Sequence, residues 1–414
     1  MNIIADFHIH SKYSRATSKD MDLESLDKWA RIKGINVLGT GDFTHPLWYK
    51  NILEKLTPAE EGLFKIKNSN SETRFILTSE ISCIYSKNNK VRKIHILIFA
   101  PSFEIVEKIN SRLNLIGNLK ADGRPILGLD AKELVKIILS ISQDCFIVPA
   151  HIWTPWFSLF GSKSGFNSLE ECFDNYSKYI FALETGLSSD PKMNWRLSTL
   201  DNISLISNSD SHSPAKIGRE ANVFDTDLSY FSIIDAIKTK NKEKFLYTIE
   251  FFPEEGKYHY DGHRFCNISM SPKETKENKN ICPVCHKPLT IGVLNRVEEL
   301  ADREDGFVTQ NAIPFKSVVP LQEIIADVFN VLPTAKKVKE EYDKLIKNFK
   351  NEFEVLLKIP YNELKLVVRE EIATAIIKMR EGKVEVCPGY DGVYGKIKIS
   401  LEETNNKNNQ KTLF

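Results

Sequence analysis

Apolar runs that end in a histidine or a carboxylate recur through the first 250 residues of the sequence. In the first of them Phe7 and Ile9 alternate with His8 and His10, which is the period-2 pattern of a β-strand. Later runs end in metal-type ligands, at Asp42, Glu80, His151, Glu184 and Asp210 with His212. Helix-like stretches separate these runs, so the order is β then α, repeated. We therefore expect a parallel sheet in a βα barrel, with the ligands gathered at the carboxyl ends of the strands.

The composition bounds the class of protein. A chain of 414 residues predicts two or three domains, and 42% hydrophobic with 27% charged residues is typical of globular proteins. These values exclude collagen-like, coiled-coil and wholly disordered chains. Because 56 basic and 55 acidic residues leave a net charge of +1, affinity for nucleic acid must come from a local patch or from metals.

The sequence also predicts the cellular location of the protein. It has no apolar run of the roughly 18 residues that a membrane span needs, and its first residues lack the pattern of a signal peptide. Seven cysteines, an odd number, favour metal binding or burial over a disulfide framework. We expect a cytoplasmic protein with no membrane association.

Composition shifts suggest the division into domains. A polar, Cys- and His-rich segment follows Pro253, and a helical apolar periodicity extends from Pro320 to Gly382. We predict a catalytic barrel over 1–250, a zinc-binding module over 251–300, a mainly helical DNA-binding domain over 301–401 and a disordered tail over 402–414.

The ligand-type side chains form the first candidate site. They are His8, His10, Asp42, Glu80, His95, His151, Asp210 and His212, and His95 differs in lying inside its strand. Imidazoles mixed with bridging carboxylates are how proteins hold two or three divalent metals. Each histidine taken singly could equally be a packed core or surface residue. The whole set at one barrel mouth favours the metal cluster.

These motifs resemble those of the polymerase and histidinol phosphatase (PHP) superfamily, whose fold is a distorted βα barrel. The resemblance implies one metal on His8, His10, Glu80 and Asp210, and a second on Glu80, His95 and His151. For a third metal the superfamily often uses histidines at positions that hold Ala16 and Phe43 here. His212 remains there, and Asp42 or His45 could substitute.

Such a ligand set predicts the reaction. Two metals about 3.5–4 Å apart can activate water and stabilise the leaving oxygen of a phosphoryl transfer, so we expect hydrolysis of a phosphate ester assisted by Zn, Mn or Mg. Glu184 and Lys12 or Arg15 are candidates to orient water or phosphate, and Asp42 and His45 are further catalytic candidates. The alternative for Glu184 is to support a ligating histidine.

A second constellation predicts a structural zinc. His263 and Cys266 precede Cys282 and Cys285 with the paired short spacings and intervening loop of a closed zinc site. His259 and His286 are spare histidines nearby. The alternative is a chance CxxC in a loop.

Further motifs resemble the endonuclease Q branch of the PHP superfamily, which nicks DNA at deaminated bases. The matching segments lie at 39–46, 258–264, 282–285, 300–303 and 388–395. The resemblance implies recognition of uracil, hypoxanthine, xanthine or an abasic site, and cleavage on the 5′ side that leaves a 3′-hydroxyl. Two alternatives are a small-molecule phosphatase of the histidinol phosphate kind and a non-catalytic DNA-binding scaffold.

Several residues are candidates for contact with DNA or with partners. Trp153, Trp156 and Phe157 follow a ligand and could wedge into a base stack, although a packed hydrophobic loop is equally consistent. Tyr390 and Gly392 lie in a glycine-rich turn that could approach a base or phosphate. The last residues resemble a peptide that docks on the DNA sliding clamp, through Gln410, Leu413 and Phe414.

Overall fold

The computed structural model describes residues 2–399, which form two compact units. The first unit comprises residues 2–318 and 387–396, and the second comprises 319–386 and 397–399. The finer division of the sequence at 250 and 300 stays a prediction. Within residues 2–399, no helix has the length and apolar character needed to cross a membrane.

The strands are mostly short, and two long ones stand out near the centre of the main sheet. They are β1 (Ile3–Asp6), β2 (Val37–Gly39), β3 (Leu56–Pro58), β4 (Phe64–Ile66), β5 (Arg74–Lys87), β6 (Lys90–Ala100), β7 (Ile126–Leu127), β8 (Phe146–Pro149), β9 (Ala182–Glu184), β10 (Ser204–Ile206), β11 (Ala221–Phe224), β12 (Phe245–Glu250), β13 (Asp261–His263), β14 (Ile268–Met270), β15 (Phe315–Ser317), β16 (Glu385–Cys387) and β17 (Lys396–Lys398).

The helices alternate with these strands in the first unit and make up most of the second. They are α1 (Leu23–Lys33), α2 (Pro46–Lys55), α3 (Phe103–Leu113), α4 (Ala131–Ile141), α5 (Leu169–Phe173), α6 (Pro191–Trp195), α7 (Tyr230–Lys238), α8 (Pro272–Glu277), α9 (Val293–Leu300), α10 (Leu321–Phe329), α11 (Lys336–Phe349), α12 (Glu352–Leu357), α13 (Tyr361–Val367) and α14 (Glu370–Arg380).

The main sheet has the order β15-β12-β11-β1-β2-β5-β4-β3, and β6 pairs with both β5 and β8. The pairs β1·β2 and β2·β5 are parallel, as predicted. The pairs β1·β11, β11·β12, β5·β6 and β6·β8 are antiparallel. The sheet that we expected to be parallel is therefore mixed, because alternation of side chains does not encode the direction of pairing.

A long hairpin accounts for much of this difference. β5 and β6 pair from Leu77 opposite Ala100 to Lys87 opposite Lys90. Asn88 and Asn89 between them have φ of 56° and 58°, the left-handed conformation that a two-residue hairpin turn requires and that asparagine tolerates. The hairpin extends β5 past Glu80, which consequently lies inside a strand and not at its end as predicted.

The segment that follows β1 places the site beside the core. Phe7 and Ile9 are buried among the apolar side chains of the barrel, while His8 and His10 on the other face are buried as well. One face of this segment therefore supplies packing and the other supplies polar groups that need partners inside the protein.

The second unit is helical, as the apolar periodicity predicted. Ile324 and Ile325 of α10 and Ile372 and Ile376 of α14 are fully buried. Truncation of one of these side chains to alanine should cost about 2–5 kcal/mol of stability. The buried Glu352 carboxylate accepts hydrogen bonds from the Leu321 N–H at 3.1 Å and the Tyr342 hydroxyl at 2.6 Å, which fixes the start of α10.

Candidate active site

His8 and His10 follow β1 and converge on Asp210. The His10 N–H donates to the Ser211 carbonyl at 3.0 Å, which joins the two segments. Nε2 of His10 lies 3.1 Å from Asp210 Oδ1, and Nε2 of His8 lies 3.7 Å from the same oxygen. The structure thus brings together these three predicted ligands.

Carboxylates behind the two imidazoles fix their orientation. His8 Nδ1 lies 2.9 Å from Glu184 Oε2, and His10 Nδ1 lies 3.0 Å from Asp42 Oδ1. With Nδ1–H of each ring donating a hydrogen bond to its carboxylate, Nε2 of each ring would be a lone-pair donor facing the other ligands. Glu184 therefore has the supporting position that was its alternative role, and Asp42 has the same role.

Asp42 is held as an anion. Burial would raise the pKa of its carboxyl, but the His10 imidazole and hydrogen bonds from Ser11 outweigh burial and lower that pKa. The Ser11 N–H and hydroxyl donate to Oδ2 at 2.6 and 2.7 Å, and the Ser14 hydroxyl donates at 2.7 Å. A Cβ at Gly123 would collide with the same oxygen, so the loop can pass here because that residue is glycine.

Glu80, His95 and His151 form a second cluster. Glu80 Oε1 lies 2.8 Å from His95 Nδ1 and 3.1 Å from His151 Nε2, and the two ring nitrogens are 3.1 Å apart. All three side chains are buried. Burial lowers the pKa of His95 to about 4, so this ring is a neutral imidazole able to act as a ligand.

Glu80 joins the two clusters. Its Oε2 lies 3.3 Å from His10 Nε2 and 3.6 Å from His8 Nε2, while Oε1 faces His95 and His151. Burial would raise the pKa of Glu80, but its interactions with His95, Arg124 and His8, in that order, hold it well below its usual value. A carboxylate with one oxygen in each cluster has the position of a bridging ligand.

The donor set fits divalent metals. His8 Nε2, His10 Nε2 and Asp210 Oδ1 are buried and lack a hydrogen-bond partner within residues 2–399. Orphaned buried polar atoms are costly, and a cation between lone pairs of imidazole and carboxylate would satisfy all of them together. The residues present therefore suit the metals that the resemblance implies.

The other predicted metal and catalytic histidines lie around these clusters. His212 Nδ1 lies 2.9 Å from the Asp210 carbonyl oxygen, and its ring centroid is 4.5 Å from that of His10. The His45 ring stacks on Tyr13 at 4.5 Å. Within residues 2–399, neither His45 nor His212 belongs to a group of three potential ligands.

Arg15 and Lys12, the two basic residues predicted to orient phosphate, lie beside Asp122 and Tyr13 respectively. The Arg15 side chain is 78% exposed and pairs with Asp122 at 3.2 Å. Lys12 Nζ lies 5.9 Å from the centre of the Tyr13 ring. A role for either side chain in orienting phosphate stays a prediction.

Arg124 is a site residue that the sequence did not reveal. Its Nη1 lies 3.0 Å from Glu80 Oε2, and its side chain is 26% exposed. Burial would lower the pKa of the guanidinium, but Glu80 and Asp210 raise it above its ordinary value. Arg124 lies in a loop with no strand or ligand pattern around it, so no sequence signal marked it.

The predicted DNA-contacting aromatics divide into two kinds. Trp153 is fully buried and its indole N–H donates to Asn194 Oδ1 at 2.8 Å, which is the packed position of the alternative interpretation. Trp156 is 52% exposed, and Lys93 Nζ lies 5.2 Å from its ring centre. The Phe157 ring lies 4.8 Å from that of His95, so it borders the second cluster.

The predicted zinc ligands also meet. His263, Cys266, Cys282 and Cys285 offer one ligand atom each within 4.8 Å of one another. The Cys282 N–H donates to the Lys287 carbonyl at 2.8 Å, which closes the turn that carries the two cysteines. One imidazole and three thiols are the donor set of a tetrahedral structural zinc site. His259 and His286 are outside this group.

The glycine-rich turn packs against the segment that carries these ligands. The Gly389 carbonyl accepts from the Tyr260 N–H at 2.9 Å, and the Tyr390 hydroxyl donates to Asn267 Oδ1 at 2.8 Å. Gly392 has φ of +87°, a conformation that L side chains rarely adopt. Gln410, Leu413 and Phe414 of the predicted clamp peptide lie outside the described residues.

Comparison with known proteins gives two relatives, one of which matches almost the whole chain. The uncharacterized protein YqxK of Bacillus subtilis (strain 168) is 31% identical over 96% of this chain and 99% of its own length. The uncharacterized protein MJ0043 of Methanocaldococcus jannaschii is 32% identical over 61% of this chain and 32% of its own length. A family model described as the MJ0043 C-terminal domain matches residues 320–383.

Two solved structures also match this chain over almost its whole length. The lesion-specific endonuclease PfuEndoQ from Pyrococcus furiosus is 32% identical, with a TM-score of 0.86 over 97% of this chain and 96% of its own. A structure of endonuclease Q in complex with a 27-mer duplex substrate, with an abasic lesion at the active site, is 31% identical. Its TM-score is 0.84 over 99% of this chain and 100% of that chain.

The α/β fold and the clustered histidines and carboxylates define a hydrolase whose site is suited to divalent metals. The predicted fold class is confirmed, with its α/β barrel, its Cys cluster and its helical C-terminal region. The chain belongs to the endonuclease Q family. It is accordingly an enzyme, a hydrolase of the endonuclease class.

Proposed function

We propose that this lesion-specific endonuclease hydrolyses the DNA phosphodiester on the 5′ side of uracil, hypoxanthine, xanthine or an abasic site and leaves a 3′-hydroxyl. The observation that carries the proposal is the convergence of His8, His10 and Asp210 with Glu80 at distances of 3.1 to 3.7 Å. The similarity to a P. furiosus lesion-specific endonuclease and to a complex with an abasic duplex supports damaged DNA as the substrate.

Two metals are the core of the proposed site. His8, His10, Asp210 and Glu80 would hold one, and Glu80, His95 and His151 would hold the other. A third, beside His212, would need Asp42 or His45. Zn, Mn or Mg ions held in this way would supply Lewis acidity that activates water and stabilises the leaving oxygen.

The protein's own residues orient this centre. Glu184 and Asp42 would hold the Nδ1 protons of His8 and His10 so that both Nε2 lone pairs face inward. Arg124 would place a fixed positive charge beside Glu80, where it can pair with a phosphate oxygen of the bound strand. The same charge offsets the repulsion between the site's carboxylates and the phosphate.

Access to a lesion inside a duplex needs an extruded nucleotide and a group that takes its place. Trp156 is exposed beside Lys93, and Phe157 borders the second cluster. We assign the wedge to Trp156 and Phe157, because an exposed indole next to a cation can stack on bases while the cation meets phosphate. Trp153 would support this loop from within.

The remaining parts of the chain would bind the DNA and recruit the enzyme to the sliding clamp. A zinc ion on His263, Cys266, Cys282 and Cys285 would fold a polar segment that has little apolar core of its own. The helical region over 301–401 would bind DNA, and the tail at 402–414 would dock on the sliding clamp through Gln410, Leu413 and Phe414. These roles for the zinc-binding module, the helical region and the tail follow the sequence prediction.

The test is a denaturing gel with end-labelled duplexes that carry one uracil, hypoxanthine, xanthine or abasic site, beside an undamaged duplex of the same sequence. We expect a nick immediately 5′ of the lesion with Mg²⁺ or Mn²⁺, and extension of the product by a DNA polymerase, which requires a 3′-hydroxyl. His10→Ala and Asp210→Ala should abolish the nick, whereas His286→Asn should leave it unchanged.

Three outcomes would overturn parts of the proposal. Cleavage of damaged and undamaged duplexes at equal rates would contradict lesion specificity. A product that polymerase cannot extend would contradict the 3′-hydroxyl. If every duplex stays intact while a phosphomonoester such as p-nitrophenyl phosphate is hydrolysed, the chain is a phosphatase of the PHP type.

A further inference from the structure

Aromatic rings and cations alternate on an exposed surface formed by the segment before the cysteine ligands and the glycine-rich turn. We call this set the aromatic surface; it consists of Lys257, Tyr258, Arg264, Phe265, Val393 and Tyr394. Phe265 is 81% exposed and Tyr394 is 70% exposed. Large apolar side chains at this exposure usually mark an interaction site when they are grouped.

Hydrogen bonds join the two segments into one surface. The Gly392 N–H donates to the Lys257 carbonyl at 2.8 Å, and the Arg264 N–H donates to Asp391 Oδ2 at 2.7 Å. A Cβ at Gly392 would lie 3.3 Å from Arg264 Nη1 and 3.8 Å from the Tyr258 hydroxyl. The turn therefore lies directly against the side chains of the preceding segment.

The cations of this surface lie next to its rings. The Arg264 guanidinium carbon is 5.0 Å from the centre of the Phe265 ring. Lys257 Nζ is 5.7 Å from the Tyr258 ring centre and 5.8 Å from that of Tyr394. Each pair is within cation–π range, so the rings and the charges are presented together.

The acidic group of the turn is engaged within the protein. Asp391 Oδ2 accepts from the Arg264 N–H, and its Oδ1 accepts from the Thr290 hydroxyl at 2.7 Å. Lys257 and Arg264 thus give the surface a positive character in a chain whose net charge is only +1. Exposed rings with interleaved cations match a nucleic-acid strand, because bases stack on rings while phosphates meet cations.

We propose that the aromatic surface binds the substrate DNA, with Phe265 and Tyr394 stacking on nucleotide bases and Lys257 and Arg264 contacting the phosphates. The inference rests on the proposed function, since it assigns a second contact region to the same DNA. It places that region on the zinc-ligand segment and the glycine-rich turn. The zinc site would then hold a recognition surface in shape.

The experiment measures affinity for a fluorescein-labelled duplex with one abasic site, by anisotropy without added divalent metal. The double variant Phe265→Ala with Tyr394→Ala should bind at least about tenfold more weakly, because each base–ring stack contributes substantially to affinity. Phe265→Trp with Tyr394→Trp should stay within about twofold of wild type. Leu115→Ala, which removes another exposed apolar side chain, is the matched control.

Two further readouts separate stacking from charge. Arg264→Gln should lower the slope of log affinity against log salt by about one. A 2-aminopurine base near the lesion should be quenched by wild type and less by the alanine variant. Unchanged affinity, salt slope and quenching in these variants, with wild type nicking normally, would overturn this inference alone. If wild type neither binds nor nicks lesion DNA, the proposed function and this inference fail together.

Discussion

The Nδ1 atom of His8 lies between both carboxylate oxygens of Glu184, at 3.0 Å from Oε1 and 2.9 Å from Oε2. The same two oxygens accept the His151 N–H at 3.0 Å and the Asn208 side-chain N–H at 2.9 Å. Glu184 therefore orients ligands of both clusters without touching the position between them. It is a positioning residue in a fully buried place.

Glu184→Gln should weaken metal binding. The amide nitrogen cannot accept a hydrogen bond, so either the backbone N–H of His151 or the side-chain N–H of Asn208 will face another donor, and the His8 ring will lose its fixed orientation. We expect the affinity for divalent metal to fall by about 10–100-fold, measured by isothermal titration, with nicking falling in parallel at low metal. Glu170→Gln, at an exposed glutamate, is the control; equal metal affinity in the two variants would refute the positioning role.

Arg124→Gln should slow the reaction more than it weakens metal binding. The variant removes a fixed positive charge 3.0 Å from Glu80, and such preorganised charge typically contributes about 10²–10³-fold to rate. Arg124→Lys should recover part of the loss because it keeps the charge. Single-turnover nicking rates at saturating metal provide the measurement, with the exposed Arg112→Gln as control. A wild-type rate in Arg124→Gln would remove this residue from the site.

Glu250→Gln should flatten the dependence of stability on pH. Burial raises the pKa of Glu250 to about 8, and the pKa of Glu220 is raised as well, first by burial and then by the Glu250 charge. The folded state therefore holds a proton that the unfolded carboxyl releases near its ordinary pKa of 4.5. The resulting stability is complete below about pH 4.5 and is lost as the pH rises towards 8.

Differential scanning calorimetry from about pH 5 to pH 9, a window that spans the titration of the folded carboxyl, tests this prediction. The free energy of unfolding of wild type should fall by up to about 1.4 kcal/mol per pH unit over this range from Glu250. The Gln variant keeps an acceptor and a donor for the hydroxyls of Thr185, Ser207 and Thr248, so its curve should be flatter. The exposed Glu243→Gln should retain the wild-type slope, and identical slopes for Glu250→Gln and wild type would contradict the buried neutral carboxyl.

Cys285→Ser should abolish zinc binding at the proposed structural site, while His286→Asn should not. Cys285 is one of the four converging ligands, whereas His286 lies outside the group. His286 has φ of 59°, and asparagine tolerates that conformation, so the control changes the imidazole with little backbone strain. Zinc per chain, measured by mass spectrometry of the metal, should fall by one ion in Cys285→Ser. Loss of zinc in both variants would mean that His286 has a role the geometry does not show.

The sequence was sufficient for the elements that depend on local pattern. Alternation placed His8 and His10 on one face of the extended segment that follows β1, and the paired spacings of Cys282 and Cys285 with His263 indicated a shared site. The apolar periodicity of 320–382 predicted the helical second unit. Each of these signals is a period or spacing that secondary structure converts directly into proximity.

Other features depend on tertiary contacts that leave no local signal. The antiparallel pairing of β5 with β6 and the position of Arg124 beside Glu80 arise from long-range packing. Trp153 is likewise buried beside Asn194, its hydrogen-bond acceptor, which is 41 residues away in sequence. Sequence patterning alone cannot distinguish an exposed tryptophan at a barrel mouth from one packed beneath it.

The strand register of the β5·β6 hairpin determines whether two of the proposed metal ligands face the site. Glu80 and His95 are on its two arms, in a register where Ser82 lies opposite His95 and Glu80 lies opposite Leu97. A slip of one residue on one arm would turn that arm's side chains to the opposite face. Deletion of Asn88 or Asn89 would therefore disable the enzyme as thoroughly as loss of a ligand, although every ligand would still be present in the sequence.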